Sequence, residues 1–536
     1  MKVLLIMPPF WDPICPPQGI VCLKSFLQNQ GHDVHIADFN TDARLFGLQK
    51  KYLELGTAYF PHWKYLNICR NGPRYFARHR LAFFMADQRR PAAYKELVRL
   101  ILNFDGRSIC TDAAVEAFDA VIEESFHMVA SKTEKLVRQL EPDVVGCTML
   151  ESTFPSALAI LKKAKKTKPG IKTVLGGPGA AVGNMADDGS LQAIANKCAW
   201  IDAIIYGEGE KTLEKYMEGV LDDKKIITVH DLTPPSTQNA SDALLDLEDI
   251  PMPEYDGLPL RRYLWLSIFT SRGCPYKCAF CFENCYWMRF RKKSVARITS
   301  EMDALSARHG KNKFYLCDSL TNPIASPLAE ALISKGRNYR WDCYMRATAD
   351  CLDARKVQLW AKGGLDRVRI GVESASAHVL KRMNKNISPA ETRNSLTNFA
   401  RAGIRTTTLW IAGFPGEREE DFQKSLSFLA ENRASIYQAD IWEYICPPRQ
   451  ISSSAGVESD FSTKPIYPDE FDDFFIFKYY DSKNGPPAQE RFERISRFEK
   501  TRLELKVPNP YTITELWEAD ERWGTLGHQK GSARVF

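Results

Sequence analysis

The chain has 536 residues, 44% of them hydrophobic and 26% charged, with a formal net charge of +6. That length supports two or three domains with cores of their own. The charge bias is too weak for a nucleic-acid binder, and no run of roughly eighteen apolar residues is present to span a membrane. The N-terminus, MKVLLIMPPFWDP, has one Lys and no small-residue cleavage site, so it reads as a first strand and not as a leader. Fourteen Cys without a secretion signal read as reduced thiols, which places the chain in the cytoplasm.

Lys2 to Met7 is a continuous apolar run suited to a buried parallel strand, ended by Pro8 and Pro9. A helical period from Gly19 to Gln30 stops at Gly31, and Val34 to Asp38 is the next strand. This β-α-β opening belongs to doubly wound sheets. Residues 41–135 interrupt it with a helical insertion rich in Arg and aromatics, whose rings read as a local core; a cap over a large cofactor or a partner surface is the sharper reading. The alternation resumes with strands at Asp143 to Thr148, Lys172 to Leu175 and Ile201 to Tyr206. Gly176-Gly177-Pro178-Gly179 follows the second of these, and Gly207-Glu208-Gly209-Glu210 the third. Glycine at strand C-termini lets a ligand approach the backbone at the edge where open α/β sheets bind. Plain tight turns are the alternative. Residues 222–262, with Pro234-Pro235 and an acidic, Pro-rich stretch, read as a linker.

After an apolar run from Leu264 to Thr270 comes SRGCPYKCAFCFENCYW, with Cys274, Cys278 and Cys281 at C-x3-C-x2-C spacing. Three thiolates this close can hold three corners of a cubane cluster and leave one iron open. A zinc site would want a second ligand pair, and none stands within finger distance. Unrelated buried thiols are the plain alternative. Cys285 extends the series, but a fourth ligand would close the site, so it is read as non-ligating. Further strands are expected at Lys313 to Cys317, Trp341 to Ala347, Arg367 to Gly371, Thr406 to Ala412 and Ile436 to Glu443, with helices between, one of them spanning 376–402. Six such strands form a partial parallel barrel, whose function sits at the strand C-termini. Residues 447–536 are an acidic-aromatic, then helical, extension placed to close the barrel's open side.

The Cys loop after a strand, with Phe280 just before the last Cys, resembles the radical S-adenosylmethionine (SAM) superfamily. The PP…G element, DVVG, Thr148-Met149-Leu150, GGPG and IDAIIYGEGEKT resemble the cobalamin-binding domain found in front of many of its members. The resemblance implies an α/β chain divided into a doubly wound, Rossmann-like cobalamin-binding domain (1–221), a linker (222–262), a partial (β/α)6 radical SAM barrel (263–446) and a C-terminal extension (447–536). It implies a [4Fe-4S] cluster on the three Cys, with SAM on the open iron, and cobalamin at Thr148, Leu150, Gly176, Gly177, Gly207 and Glu208. The D-x-H-x-x-G motif is absent, which implies cobalamin without His ligation.

The same resemblance places Phe280, Asp318, Ser319, Arg346, Glu373, Ser374, Gly413 and Phe414 around SAM. Arg346 would pair with its carboxylate, Glu373 would accept from its ribose hydroxyls, and the backbone of IAGFPGE would meet its adenine. A barrel-mouth ion pair, an acid at a helix N-terminus and a strand-ending turn are the respective plain alternatives. The Gly-Gly-Glu segment many relatives carry after the second barrel strand is missing. Cys317 and Cys446 read as buried thiols before hydrogen donors. The implied activity is a C-methyltransferase that uses a 5′-deoxyadenosyl radical and methylcobalamin on an unactivated carbon of a small metabolite or natural-product intermediate. An external electron donor such as flavodoxin or ferredoxin is implied with it, and neither a nucleic acid nor a membrane. Cyclisation, ring rearrangement or oxidation without methyl transfer is the other outcome this architecture supports.

Overall fold

The computed structural model describes residues 1–11, 14–65, 68–86, 91–103, 109–181, 189–232, 244–281, 283–444, 463–475, 480–511 and 513–527. Two parallel six-stranded sheets carry the molecule. The first comprises β1 (Lys2–Met7), β2 (Asp33–Asp38), β3 (Val144–Thr148), β4 (Lys172–Gly176), β5 (Ala203–Tyr206) and β6 (Ile226–Thr228). Its order is β2-β1-β3-β4-β5-β6, so the chain reverses direction across the sheet between β1 and β3. A crevice opens at the strand C-termini at such a reversal, which is where this class of sheet binds ligands. Its strands read as apolar runs because helices cover both faces. β6 pairs with β5, Ile204 opposite Ile226, inside the stretch whose composition reads as linker. Three residues are too few for a periodic signal, and the polar neighbours of Ile226 and Ile227 mask them.

The second sheet comprises β7 (Leu266–Ile268), β8 (Lys313–Leu316), β9 (Arg340–Met345), β10 (Leu365–Glu373), β11 (Arg405–Ala412) and β12 (Gln438–Glu443). Its order is sequential, β12-β11-β10-β9-β8-β7, with every pair parallel. This is the expected partial barrel. The C-terminal extension covers its β12 edge: the Ala439 N–H donates to the Pro508 carbonyl at 3.0 Å and the Gln438 amide to the Asn509 carbonyl at 3.1 Å. An edge strand left bare would be a template for aggregation.

The continuous helix expected over 376–402 is two, Ala377–Arg382 and Pro389–Arg401. Asn384 and Asn386 between them take φ of 51° and 48°, the left-handed region that Asn tolerates. Ser388 with Glu391 then forms a capping box that starts the second helix. The break serves the cluster loop, as described below.

The insertion folds as helices Ala43–Tyr59, Ile68–Met85 and Pro91–Leu102, leading into Asp112–Leu140. Tyr52, Phe60, Trp63, Phe76 and Phe118 are buried together, and the same core takes in Phe471, Phe474, Phe475 and Phe492 of the C-terminal extension. A Cβ at Gly56 would lie 2.1 Å from the Trp63 ring, so the helix needs glycine there for the indole to seat. The aromatics thus form a core shared with the far end of the chain, and not a core of the insertion alone.

Candidate functional site

The mouth of the barrel is built on the loop after β7. Gly273 takes φ +82°, and a Cβ there would meet the Arg289 carbonyl at 2.7 Å, so only glycine lets the loop fold back on the short pairing of Ser271–Arg272 with Arg291–Lys292. Asp318, just past β8, accepts from the Thr270 N–H at 2.7 Å, the Ser271 N–H at 2.9 Å and the Thr270 hydroxyl. Its carboxylate is spent on positioning the start of the cluster loop. Burial raises Asp318 to about 6, against the pull of those donors. Ser319 hydrogen-bonds Glu283, which also takes the Trp287 indole N–H at 2.8 Å; the Ser319 hydroxyl is likewise engaged with the loop.

The far side of the loop rests on the break between the two helices. The Ala279 N–H donates to the Met383 carbonyl at 2.9 Å, and the Asn384 amide to the Lys277 carbonyl at 2.7 Å. Phe280 packs against a small core of Ala279, Val379, Leu380, Met383, Phe414 and Tyr444. Phe280 and Phe414 therefore support the loop from beneath. Lys385, 5% exposed, reaches between them: its Nζ lies 2.7 Å from Glu373 Oε1 and 5.4 Å from the Phe280 ring centroid. Glu373 ends β10 with φ +61°, a conformation that costs a β-carbon residue about 1–2 kcal/mol. Its carboxylate is held by Lys385, a residue the sequence reading missed. Ser374 is buried and accepts from the Ser376 N–H at 3.1 Å, closing the turn.

Cys278 is buried, and Cys274 and Cys281 are half-buried. Among the described residues no three His, Cys, Asp or Glu side chains converge on one ion. A cubane asks for something else, because each thiolate takes a different iron and the three stand apart around it. Cys285 falls in the helix Glu283–Trp287 with its side chain outside the described residues, and Cys446 lies outside them altogether.

Arg346 follows β9 and decides the fit. Its Nη1 donates to Cys278 Sγ at 3.3 Å, its guanidinium stacks on Tyr276 at 4.2 Å, and its Nη2 is buried without a hydrogen-bond partner. An orphaned guanidinium N–H beside a three-thiol loop matches a carboxylate held next to a cluster. The Gly413-Phe414-Pro415-Gly416 turn is glycine-dependent for another reason than ligand approach. A Cβ on Gly413 would come 2.3 Å from Arg491 Cδ, and one on Gly416 would come 2.5 Å from Arg382 Nε. Glu417 fixes the turn by accepting from the Gly413 N–H at 2.7 Å and from Arg494 at 2.6 Å.

The edge of the first sheet is likewise closely packed. The Met149 N–H donates to the Gly176 carbonyl at 2.5 Å and the Gly179 N–H to the Met149 carbonyl at 2.7 Å. A Cβ on Gly177 would sit 2.5 Å from Thr148 Oγ1, so the loops after β3 and β4 can meet only because glycine stands there. Thr148, Leu150, Gly176 and Gly177 lie together at this edge. Gly207, φ +95°, has nothing closer to its missing Cβ than Val229 at 4.0 Å and leaves the edge open beside them. No His stands at 8–17, directly after β1, or in the 148–150 and 176–179 loops.

Glu208 does different work. With Glu210 it faces Arg272 of the cluster loop, at 3.0 Å and 2.5 Å, and it also pairs with Arg291. The Arg272 side chain is 7% exposed, and those of Glu208 and Glu210 are 6% and 4% exposed. The Tyr286 hydroxyl adds a bond to the Gly207 carbonyl at 3.0 Å. Burial works against ionised Glu210, yet Arg272 outweighs it and holds the carboxyl below its usual range. This buried group of four charges bolts the first sheet's edge to the cluster loop, so the C-terminal edges of both sheets face one space. The sequence marks Glu208 and Glu210 as an edge motif but not their partners in the other half of the chain.

Comparison with known proteins bears on that space. The radical SAM superfamily matches residues 268–429, and the B12 binding domain matches residues 113–216. An uncharacterised methyltransferase of Pyrococcus horikoshii is 24% identical over 59% of this chain and 69% of its own. The cobalamin-dependent radical SAM methyltransferase TokK of Streptomyces tokunonensis is 26% identical over 58% of this chain and 48% of its own. The anaerobic magnesium-protoporphyrin IX monomethyl ester cyclase of Rubrivivax gelatinosus is 25% identical over 54% of each. The chain thus spans about half to two thirds of the length of these relatives. The radical SAM methyltransferase TsrM of Kitasatospora setae, solved with cobalamin and a [4Fe-4S] cluster bound, superposes with a TM-score of 0.53 at 16% identity, over 82% of this chain and 74% of its own.

Proposed function

We propose that this chain, a member of the radical SAM superfamily carrying a B12 binding domain ahead of its barrel, is a C-methyltransferase acting on an unactivated carbon of a small molecule. The cofactors that go with its two domains are a [4Fe-4S] cluster, SAM and cobalamin. When bound, they supply carbon-radical chemistry and a transferable methyl group, which the protein itself cannot provide.

The observation that carries the reading is the buried clamp of Glu208 and Glu210 on Arg272 and Arg291, which turns the B12 edge toward the cluster loop. The chain's own residues then have distinct tasks. Cys274, Cys278 and Cys281 supply three thiolates. Arg346 presents its unpartnered Nη2 to a carboxylate, while its Nη1 is held at Cys278. Asp318 and Lys385 hold the loop from opposite sides. The Glu373 carboxylate, anchored at one oxygen by Lys385, presents its other oxygen as an acceptor. Glu417 and Arg494 fix the Gly413–Gly416 backbone. Water has to be kept from such a site, as reactive intermediates require.

The test is product analysis after anaerobic purification, reconstitution with iron and sulfide, and reduction. Methyl transfer releases both S-adenosylhomocysteine and 5′-deoxyadenosine; absence of corrinoid from the protein, or deoxyadenosine alone, contradicts it. The second result would favour the other reading, cyclisation or oxidation without methyl transfer. Its support is the group of cyclases among the similar proteins.

A further inference from the structure

The insertion brings a cation to the space between the two edges. Helix Ile68–Met85 carries Arg74 and Arg78 there. Glu151 approaches from the loop after β3, one residue past Leu150, and Glu443 from the end of β12. Arg491 holds Glu443 Oε1 at 2.8 Å and 2.9 Å, and a second carboxylate, Asp481, lies 2.9 Å from the same guanidinium; Oε2 of Glu443 faces Arg74 and the Tyr75 hydroxyl, each at 3.5 Å. Arg78 stands 3.9 Å from Glu151.

Arg74 is different. Its side chain is 5% exposed, it lies 3.5 Å from both Glu151 and Glu443, and it makes no hydrogen bond to either or to any other described residue. Its guanidinium sits 5.7 Å from the ring centroid of Trp442, at the rim of the barrel mouth. A guanidinium has five donors, and an acceptor that meets them in so sheltered a place gains charge-assisted bonds. Two carboxylates at this range balance its charge without meeting its donors. Its donors stay available to an acceptor that enters between the B12 edge and the barrel mouth. Arg presents a planar fork suited to an oxyanion with two oxygens in reach.

We infer that Arg74, with Arg78 beside it, receives an anionic group of the substrate, a phosphate, phosphonate or carboxylate, between the facing edges of the two sheets. The inference rests on the proposed function for the identity of the anion's bearer as substrate, and it narrows the substrate to an acidic small molecule. The site is separate from Arg346, which faces the cluster loop.

Equilibrium dialysis of the anaerobically reconstituted full chain tests it. Saturating SAM is present so that the Arg346 position is filled, and parallel cells hold radiolabelled inorganic phosphate, methylphosphonate or acetate at fixed ionic strength. The expected result is saturable uptake of one equivalent, with the preferred probe separating a tetrahedral from a planar anion. R74Q should weaken uptake by about 10- to 100-fold. R74K, which keeps the charge but loses the fork, should weaken it by about threefold or more. No saturable uptake of any probe by the parent protein overturns the inference, whatever the variants do. Uptake that neither substitution changes also overturns it, marking adventitious binding. SAM retention, read in the same cells, keeps the two claims apart: its loss refutes the proposed function and leaves the anion result standing.

Discussion

Arg346 is the residue at which cluster and cosubstrate are expected to separate. R346M should leave the iron content unchanged while weakening SAM binding by about 10- to 100-fold, because it removes a charge-assisted donor and no thiolate. R346K should not restore binding, since one ammonium cannot serve Cys278 and a carboxylate from the two ends of a planar group. Equilibrium dialysis with labelled SAM reads both. Asp318 makes the opposite prediction. D318A removes the acceptor for two N–H groups of the cluster loop and should lower the iron retained after reconstitution. The pH dependence at this residue has a definite sign. Its carboxyl stands at about 6 in the folded protein, above the usual 3.8, so its contribution to stability is full below 3.8 and is lost as pH rises through about 6. D318N is neutral throughout. The stability difference should therefore move in favour of D318N between pH 5 and 7.5, by an amount on the order of 1–3 kcal/mol, seen as a relative rise in its melting temperature.

At the scale of elements, two buried ion clusters join parts of the chain that are far apart in sequence. Breaking a buried pair from one side strands a charge, at about 3–5 kcal/mol. R494M should do this to Glu417, which burial already raises to about 7 against the pull of Arg494. The loss in melting temperature should be largest at pH 8 and shrink as pH falls through about 7, because a protonated Glu417 needs no counter-charge. The double variant R494M/E417Q should lose less than R494M alone. R272M should act likewise on Glu208 and Glu210, and hydrogen exchange should then rise in the loop after β5 and in the cluster loop together.

These clusters also mark where reading the sequence stopped. Strands with continuous apolar runs, such as Leu4 to Met7 or Phe314 to Leu316, were legible because helices bury both faces. The Cys spacing was legible because three ligands sit on one short loop. Glu208 with Arg272, and Glu417 with Arg494, were not. Each side chain alone looks like an ordinary surface charge, and only the fold shows it buried beside its partner. Asp318 and Gly413 illustrate the converse. Both stand just past barrel strands, yet one is occupied in holding Thr270 and Ser271, and the other is glycine to admit Arg491. The helix expected over 376–402 failed at Met383–Ser388, since no apolar period distinguishes a break that exists to support Ala279 and Lys277.

At the scale of the whole molecule, the clamp ties the loop after β5 to the cluster loop, and the insertion and the helix Ala488–Glu504 meet the end of β12 through Arg74 and Arg491 at Glu443. Among the described residues no helix is long and apolar enough to cross a membrane. The arrangement has a purpose only if the cluster loop leaves one metal corner for a cosubstrate. The most direct measurement is the iron and sulfide content of the anaerobically reconstituted protein, taken together with reductive SAM cleavage, for the single Ala variants at Cys274, Cys278, Cys281 and Cys285. The account predicts that each of the first three loses both properties and that C285A keeps both. Full iron content and SAM cleavage in any of the first three variants, or their loss in C285A, would contradict it.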